Sequence, residues 1–334
     1  MNKRKNNLQG VGTNRFRTIL YTLFFFYLFL SILTHSRESL YYAFNGLELW
    51  YSKMVPALMP FMILSGLMIR MGLSESFVSW FYPVFRFFFR ISPNAAYAII
   101  MGFLCGFPMG AKVTADLLQR ELISVEEADF LLAFTNNIGP AYFFGFVLPL
   151  VHRKAVLPYL FGMYALPLLY GLLLRYTLFR KRIPIMHCRK KLHHGQSLQS
   201  RNEKEQQNTD LQQNTALSVL EQIDDAIGSA VHSILLLGGY MIFFNLLNLL
   251  PIPETLAPVL EITGGLEILG DKKPLLVFVL LPFGGFSCIA QTYSTIRSCN
   301  RSICPYILHK LVLSGITALY YAAWFLLFPA SFLA

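Results

Sequence analysis

Gly106-Phe107-Pro108-Met109-Gly110-Ala111-Lys112 and Phe283-Gly284-Gly285-Phe286-Ser287-Cys288-Ile289-Ala290-Gln291 are the two stretches on which the fold turns. Each interrupts an apolar, helix-forming run with Gly or Pro, one in each half of the chain. Lipid offers no hydrogen bonds to an open backbone. A helix broken at membrane depth must therefore be covered by protein or line a cavity. Paired breaks at corresponding places in two halves point to a transporter binding site.

The composition around them is that of a membrane protein. Of 334 residues, 55% are hydrophobic and 14% charged, against about 25% charged in soluble domains. The net charge of +10 sits in two places. Residues 1–18 hold Lys3, Arg4, Lys5, Arg15 and Arg17 and no acid; residues 180–210 hold eight Lys/Arg against Glu203, Glu205 and Asp210. Basic clusters flanking apolar segments mark the cytoplasmic side, so the amino terminus and the linker are expected there. Neither cluster reads as a nucleic-acid-binding face. Cys188, His187, His193 and His194 match no metal-ligand spacing, and no disulfide framework is evident, so neither metal nor cofactor is expected. No GxSxG, HExxH or Walker A motif is present, and no enzyme is expected.

The chain divides into four parts. Residues 1–40 are a basic amino terminus and a first crossing at 16–33, read as uncleaved because Thr34-His35-Ser36-Arg37 offers no small-residue cleavage site. Residues 41–179 form a first, gate-like repeat. In it 41–53 and 77–90 are interfacial, 55–69 crosses, and 94–122 is a re-entrant hairpin whose limbs are too short to span. A crossing at 125–150 follows, opened by Ser124 and Glu127 as a capping box and broken at Asn136-Asn137-Ile138-Gly139-Pro140. Residues 155–179 return to the linker. Residues 180–222 are a polar, basic linker expected to be disordered. Residues 223–334 form a second repeat, with a crossing at 230–250, a second re-entrant hairpin at 274–298 and a last crossing at 303–328. An offset of about 179 places Gly106 on Gly285 and Lys112 on Gln291. The expectation is an all-α polytopic membrane protein of six crossings, with inverted repeats and two opposed re-entrant hairpins.

At a hairpin tip the amino end of a half-helix presents unpaired N–H groups and a positive dipole end, which favour an anion. Gly106, Pro108, Gly110 and Gly285 shape the tips. Lys112 is an ammonium at half-membrane depth and a functional candidate on that ground. Thr135, Asn136 and Asn137, with Ser287 and Gln291, supply hydroxyl and amide groups to a substrate or to the freed backbone. Glu261 and Glu267 are candidates for a coupling proton if buried, or hydrated acids at the outer surface.

Leu49-Trp50-Tyr51-Ser52-Lys53-Met54-Val55-Pro56-Ala57-Leu58-Met59-Pro60-Phe61, the Gly106–Lys112 tip, Phe134-Thr135-Asn136-Asn137-Ile138-Gly139-Pro140, Glu261-Ile262-Thr263-Gly264-Gly265 and Phe283–Ser287 with Gln291 together carry a resemblance. Over residues 40–328 the chain resembles the sporulation membrane proteins of the nucleoside-recognition gate-domain family. Met109 stands where that family has a small residue, and Ile289 where it often has His. The resemblance implies a fold similar to concentrative nucleoside transporters. It also implies transport of dipicolinic acid, a small organic anion, across the outer forespore membrane of a spore-forming bacterium. The rival expectations are a nucleoside or other metabolite carrier of the same fold, and a non-transporting scaffold for spore-envelope assembly.

Overall fold

The computed structural model describes residues 2–151, 156–183, 207–270 and 272–328, and these are all-helical. Cys188, the nearby histidines and most of the expected linker lie outside them. Six helices among the described residues are long and apolar enough to cross a membrane: Arg15–Thr34, Ser36–Arg70, Val156–Tyr176, Ser218–Leu249, Leu275–Arg297 and Cys304–Leu327. The protein is an integral membrane protein.

The first helix, α1 (Asn2–Thr34), is followed by α2 (Ser36–Leu49) and α3 (Val55–Arg70), which a π-turn at Trp50–Met54 joins into one span. The segment expected to be interfacial at 41–53 is thus continuous with the helix that holds a candidate span. The reason is a partner: α2 and α3 both lie along α13 (Gln207–Leu246). Trp50 Nε1 donates to the Ile234 carbonyl at 2.8 Å, and a Cβ on Gly46 would touch the backbone of Ile242 at 3.0 Å. Helix α13 also begins inside the stretch read as linker. Arg70 donates to the Asp225 carbonyl, so the end of α3 and the start of α13 share one side of the molecule.

Two short helices follow, α4 (Ser74–Val78) and α5 (Tyr82–Phe88). The hairpin expected at 94–122 is present as α6 (Pro93–Cys105) and α7 (Met109–Gln119), packed on each other. Helix α5 meets α6 at 101°, the sharp entry into the hairpin. Ser92 caps α6, its Oγ accepting from Ala95 N, and Pro93 takes the first turn, where no N–H is missed. The Ser124–Glu127 capping box opens α8 (Val125–Leu132) as expected. Glu127 also accepts from Ser92 N at 2.8 Å, tying the starts of α6 and α8 together. Residues 133–139 are open chain. The chain resumes as α9 (Pro140–Tyr142) and, beyond a π-turn at Phe143–Val147, α10 (Leu148–Val151). The stretch 125–150, expected to cross, is not one of the six long apolar helices, because the open chain at 133–139 divides it and leaves only Pro140–Leu150 as a shorter apolar helix. The return consists of α11 (Val156–Leu160), a third π-turn at Phe161–Ala165, and α12 (Leu166–Tyr176).

The second half departs from the expected plan. Two short helices, α14 (Ala257–Leu260) and α15 (Ile262–Leu269), fold back on each other at Glu261. Then α16 (Pro274–Leu280) and α17 (Gly285–Arg297) make up a single apolar span, Leu275–Arg297. The expected re-entrant hairpin at 274–298 is therefore a broken crossing. The direction of the last helix, α18 (Cys304–Leu327), requires this. Tyr170 of α12 hydrogen-bonds His309 near the start of α18, while Tyr320 and Tyr321 near its end donate to the Pro158 and Tyr159 carbonyls. Helices α12 and α18 are antiparallel, so α18 starts on the side where α12 ends. Gly284 and Gly285, at φ 76° and 78°, interrupt the helix without reversing it. Glycine permits such angles; it does not dictate a hairpin.

Candidate functional site

The tip of the α6–α7 hairpin packs directly against two other breaks. Gly106 has φ 85°, and a Cβ there would lie 2.2 Å from Gly139 N. A Cβ on Gly110 would lie 2.7 Å from the Thr135 carbonyl oxygen, and one on Gly284 would lie 2.8 Å from the Phe107 ring. These glycines are contact surfaces, where three chain segments approach to a distance that no side chain allows. The break in the α16–α17 span meets the other tip in the same way: a Cβ on Gly285 would touch the Pro258 carbonyl oxygen at 3.0 Å and Ile262 N at 3.3 Å.

Two cavities flank the first tip. One has a volume of about 220 Å³ and a polar lining from α7, α13 and α17, including Pro108, Lys112, Asp116, Gln119, Ser229 and Gln291. The other, about 50 Å³, is mostly apolar and is lined by Phe107, Tyr142, Glu261, Thr263, Cys288 and Gln291 among others. Leu237 and Gln291 belong to both, so the two spaces adjoin at the tip, with Pro108 facing one and Phe107 the other.

Lys112 faces the polar cavity, but it is not a free cation. It is 8% exposed. Its Nζ pairs with Asp116 Oδ2 at 3.1 Å and donates to Ser229 Oγ at 3.0 Å. Asp116 is one helical turn further along the same face, so the pair is set by α7 alone. Asp116, which neutralises Lys112, is not among the candidates the sequence offers.

Thr135, Asn136 and Asn137 are buried and committed to protein partners. Thr135 Oγ1 donates back to the Leu131 carbonyl at 2.8 Å. Asn136 Nδ2 donates to Thr292 Oγ1 and Tyr306 Oη, each at 3.0 Å, and its Oδ1 accepts from Ala111 N. Asn137 Nδ2 donates to the Phe134 carbonyl. None of the three lines either cavity. They form a knot that fastens the hairpin, the open chain and the last two helices. Ser287 is also buried and accepts from Gln291 Nε2 at 3.0 Å, which holds that amide between the two cavities.

Glu261 is not hydrated at a surface. It is 2% exposed and caps α15, its carboxylate accepting from Thr263 N at 3.1 Å, Gly264 N at 2.6 Å and Asn245 Nδ2 at 3.2 Å. No cation is within ion-pair distance among the described residues. Glu267, on the same helix, is exposed and is not brought to this cluster.

The group missed by sequence reasoning is Lys310. It is fully buried at 0% exposure, in α18. Its Nζ donates to the Asn136 carbonyl and, at 3.1 Å, to Asn137 Oδ1. It lies 4.6 Å from the centre of the Phe107 ring and 5.7 Å from that of Tyr306. No carboxylate pairs with it among the described residues. In the sequence it is one basic residue near the end of an apolar run, the usual mark of a snorkelling side chain. Its hydrogen-bond acceptors are more than 170 positions away.

No protein-family model and no solved structure matches the chain. It is 28% identical over 350 aligned residues to the sporulation integral membrane protein YlbJ of Bacillus subtilis (strain 168), an alignment that takes in 92% of this chain and 82% of that protein. The two are homologues.

Proposed function

We propose that this protein is a carrier of a small organic anion, with dipicolinate as the substrate, acting in spore formation at the cytoplasmic or outer forespore membrane. The observation that carries the reading is the hairpin tip standing between two adjoining cavities. A carrier exposes one site to each side in turn, and a movable tip between two spaces suits that task. The homology to a sporulation membrane protein supports the setting, and the family resemblance supports dipicolinate. The basic amino terminus and linker support a cytoplasmic placement for both.

An inverted-repeat plan like that of concentrative nucleoside transporters is part of the proposal, in a corrected register. The pairs are α3 with α13, the α6–α7 hairpin with α14–α15, the broken crossing α8–α10 with α16–α17, and α12 with α18. Its support is the packing: in each half the hairpin tip abuts the helix break that follows it.

Glu261 carries the coupling proton in this scheme, since it is a buried carboxylate at the wall of the chamber with no cation paired to it among the described residues. The decisive experiment is uptake of labelled dipicolinate by proteoliposomes holding the purified protein, with and without an imposed pH gradient. Saturable uptake that excess unlabelled dipicolinate displaces is the expected result. Uptake no faster than in empty liposomes defeats the substrate assignment. A nucleoside is the second reading, favoured by the hydroxyl, amide and carboxylate groups of Tyr142, Thr263, Gln291 and Glu261 in the chamber. Displacement of uptake by uridine in place of dipicolinate selects it.

A further inference from the structure

We propose that Lys310, not Lys112, is the cation that meets an anionic ligand in the chamber, and that the Phe107 ring covers it until the hairpin tip moves. This deepens the anion-carrier reading and rests on it for the direction of binding.

An ammonium in a protein interior without a carboxylate costs several kcal/mol even after relaxation. Two carbonyl-type acceptors and the ring faces of Phe107 and Tyr306 offset part of that cost. A glutamine would donate to the same acceptors with no charge to desolvate. An ionisable side chain kept inside a membrane protein at such cost is a functional group by default. Lys112 has its carboxylate; Lys310 has none among the described residues.

Position completes the argument. Phe107 lies at the hairpin tip and lines the small chamber, and Lys310 Nζ lies 4.6 Å from the centre of its ring. The ring also fills the notch at Gly284. Behind that notch starts α17, a 13-residue helix with no side-chain cap at its amino end. Swinging Phe107 aside therefore opens one place to an ammonium and an uncapped helix amino end, two features that each attract an anion. The same movement enlarges the chamber. Its present volume of about 50 Å³ is room for a few waters, too little for an aromatic dicarboxylate.

The test uses the full chain in detergent and two probes. The first is 2,4,6-trinitrobenzenesulfonate, an aromatic anion that arylates lysine amines, read out by peptide mass mapping. Phe107→Ala is expected to raise labelling of Lys310 roughly tenfold over wild type, since the opening free energy falls. Equal rates in the two proteins overturn the proposal whatever the substrate is. The second probe is dipicolinate, measured by equilibrium binding. Lys310→Gln is expected to weaken binding about tenfold or more, and Lys310→Arg to recover part of it. Wild-type affinity in Lys310→Gln also overturns the proposal. Should Lys310→Gln not accumulate, the labelling result decides. Should wild type bind no dipicolinate while Phe107→Ala uncovers Lys310, the substrate assignment fails and the Lys310 assignment stands.

Discussion

The Lys112–Asp116 pair changes what a substitution at Lys112 means. Removing the lysine alone leaves the Asp116 carboxylate, only a quarter exposed, in the polar cavity without its partner, and the penalty for an uncompensated charge exceeds the worth of the pair. Lys112→Gln is therefore expected to lower thermal stability and transport together. Lys112→Gln with Asp116→Asn is expected to recover most of the stability, because both charges are gone and the side-chain contact survives. Melting curves of the two variants check this: a double variant no more stable than the single one means that the pair is not what holds Lys112. Gly106 tests the contact surface at the tip. A methyl at 2.2 Å from Gly139 N meets backbone that cannot rotate away, and φ is positive as well. Gly106→Ala is expected to cost about 3 kcal/mol or more, seen as low yield of folded protein. At this scale the sequence was informative about backbone and poor about side chains. Glycine and proline state their geometric role locally, so Gly106, Pro108, Gly110 and Gly285 were legible as breaks. The roles of Asn136 and Lys310 depend on residues from distant helices, and no local pattern encodes those.

At the scale of elements, the offset of 179 between the halves has a physical explanation. Helices α7 and α17 pack side by side and run in the same direction, with Gln119 Nε2 donating to Ser298 Oγ at 2.6 Å across a separation of 179 positions. Two Gly-rich starts followed by polar faces on a shared cavity look alike in sequence. The likeness belongs to neighbours lining one space. Cysteines replacing Gln119 and Ser298, in a chain lacking its native cysteines, are accordingly expected to be joined by a short, reducible bis(methanethiosulfonate) reagent. Electrophoresis after cleavage in the linker reads the result. Two fragments that separate without reductant contradict the parallel packing. Hairpin limbs were legible where length decided, as at 93–119, because about 18 Å of helix cannot cross about 30 Å of hydrocarbon. They were misread at 274–298, where the summed length of both limbs equally suits one crossing. The packing partners, α18 for the first limb and α7 for the second, settle which it is.

The whole molecule turns on that distinction. With α16–α17 as a crossing and α18 antiparallel to α12, the loop at residues 298–303 lies on the linker side, and the far end of α18 lies opposite. With the expected hairpin, the same loop would lie on the outer side. Arg301 ties this loop to Asp129 on α8, close to the Ser124 cap where α8 leaves the side shared by α7 and the start of α13. Three separate contacts, Gln119–Ser298, Arg301–Asp129 and Tyr170–His309, thus gather one rim of the protein. Helix α12 ends at this rim, where the basic linker of the sequence follows, and the positive-inside rule predicts that the rim faces the cytoplasm. Cys304 is exposed at this rim and serves as the reporter. In a variant keeping Cys304 and replacing the other four cysteines, a membrane-impermeant maleimide is expected to label permeabilised cells and to leave intact cells unlabelled. Prompt labelling of intact cells would put the rim outside, return α16–α17 to a hairpin and remove the basis for pairing α14–α15 with the first hairpin. A silent Cys304 in intact cells, with labelling after permeabilisation, leaves the two hairpins entering from opposite sides, the arrangement that lets tips near Phe107 and Glu261 close on one chamber in turn.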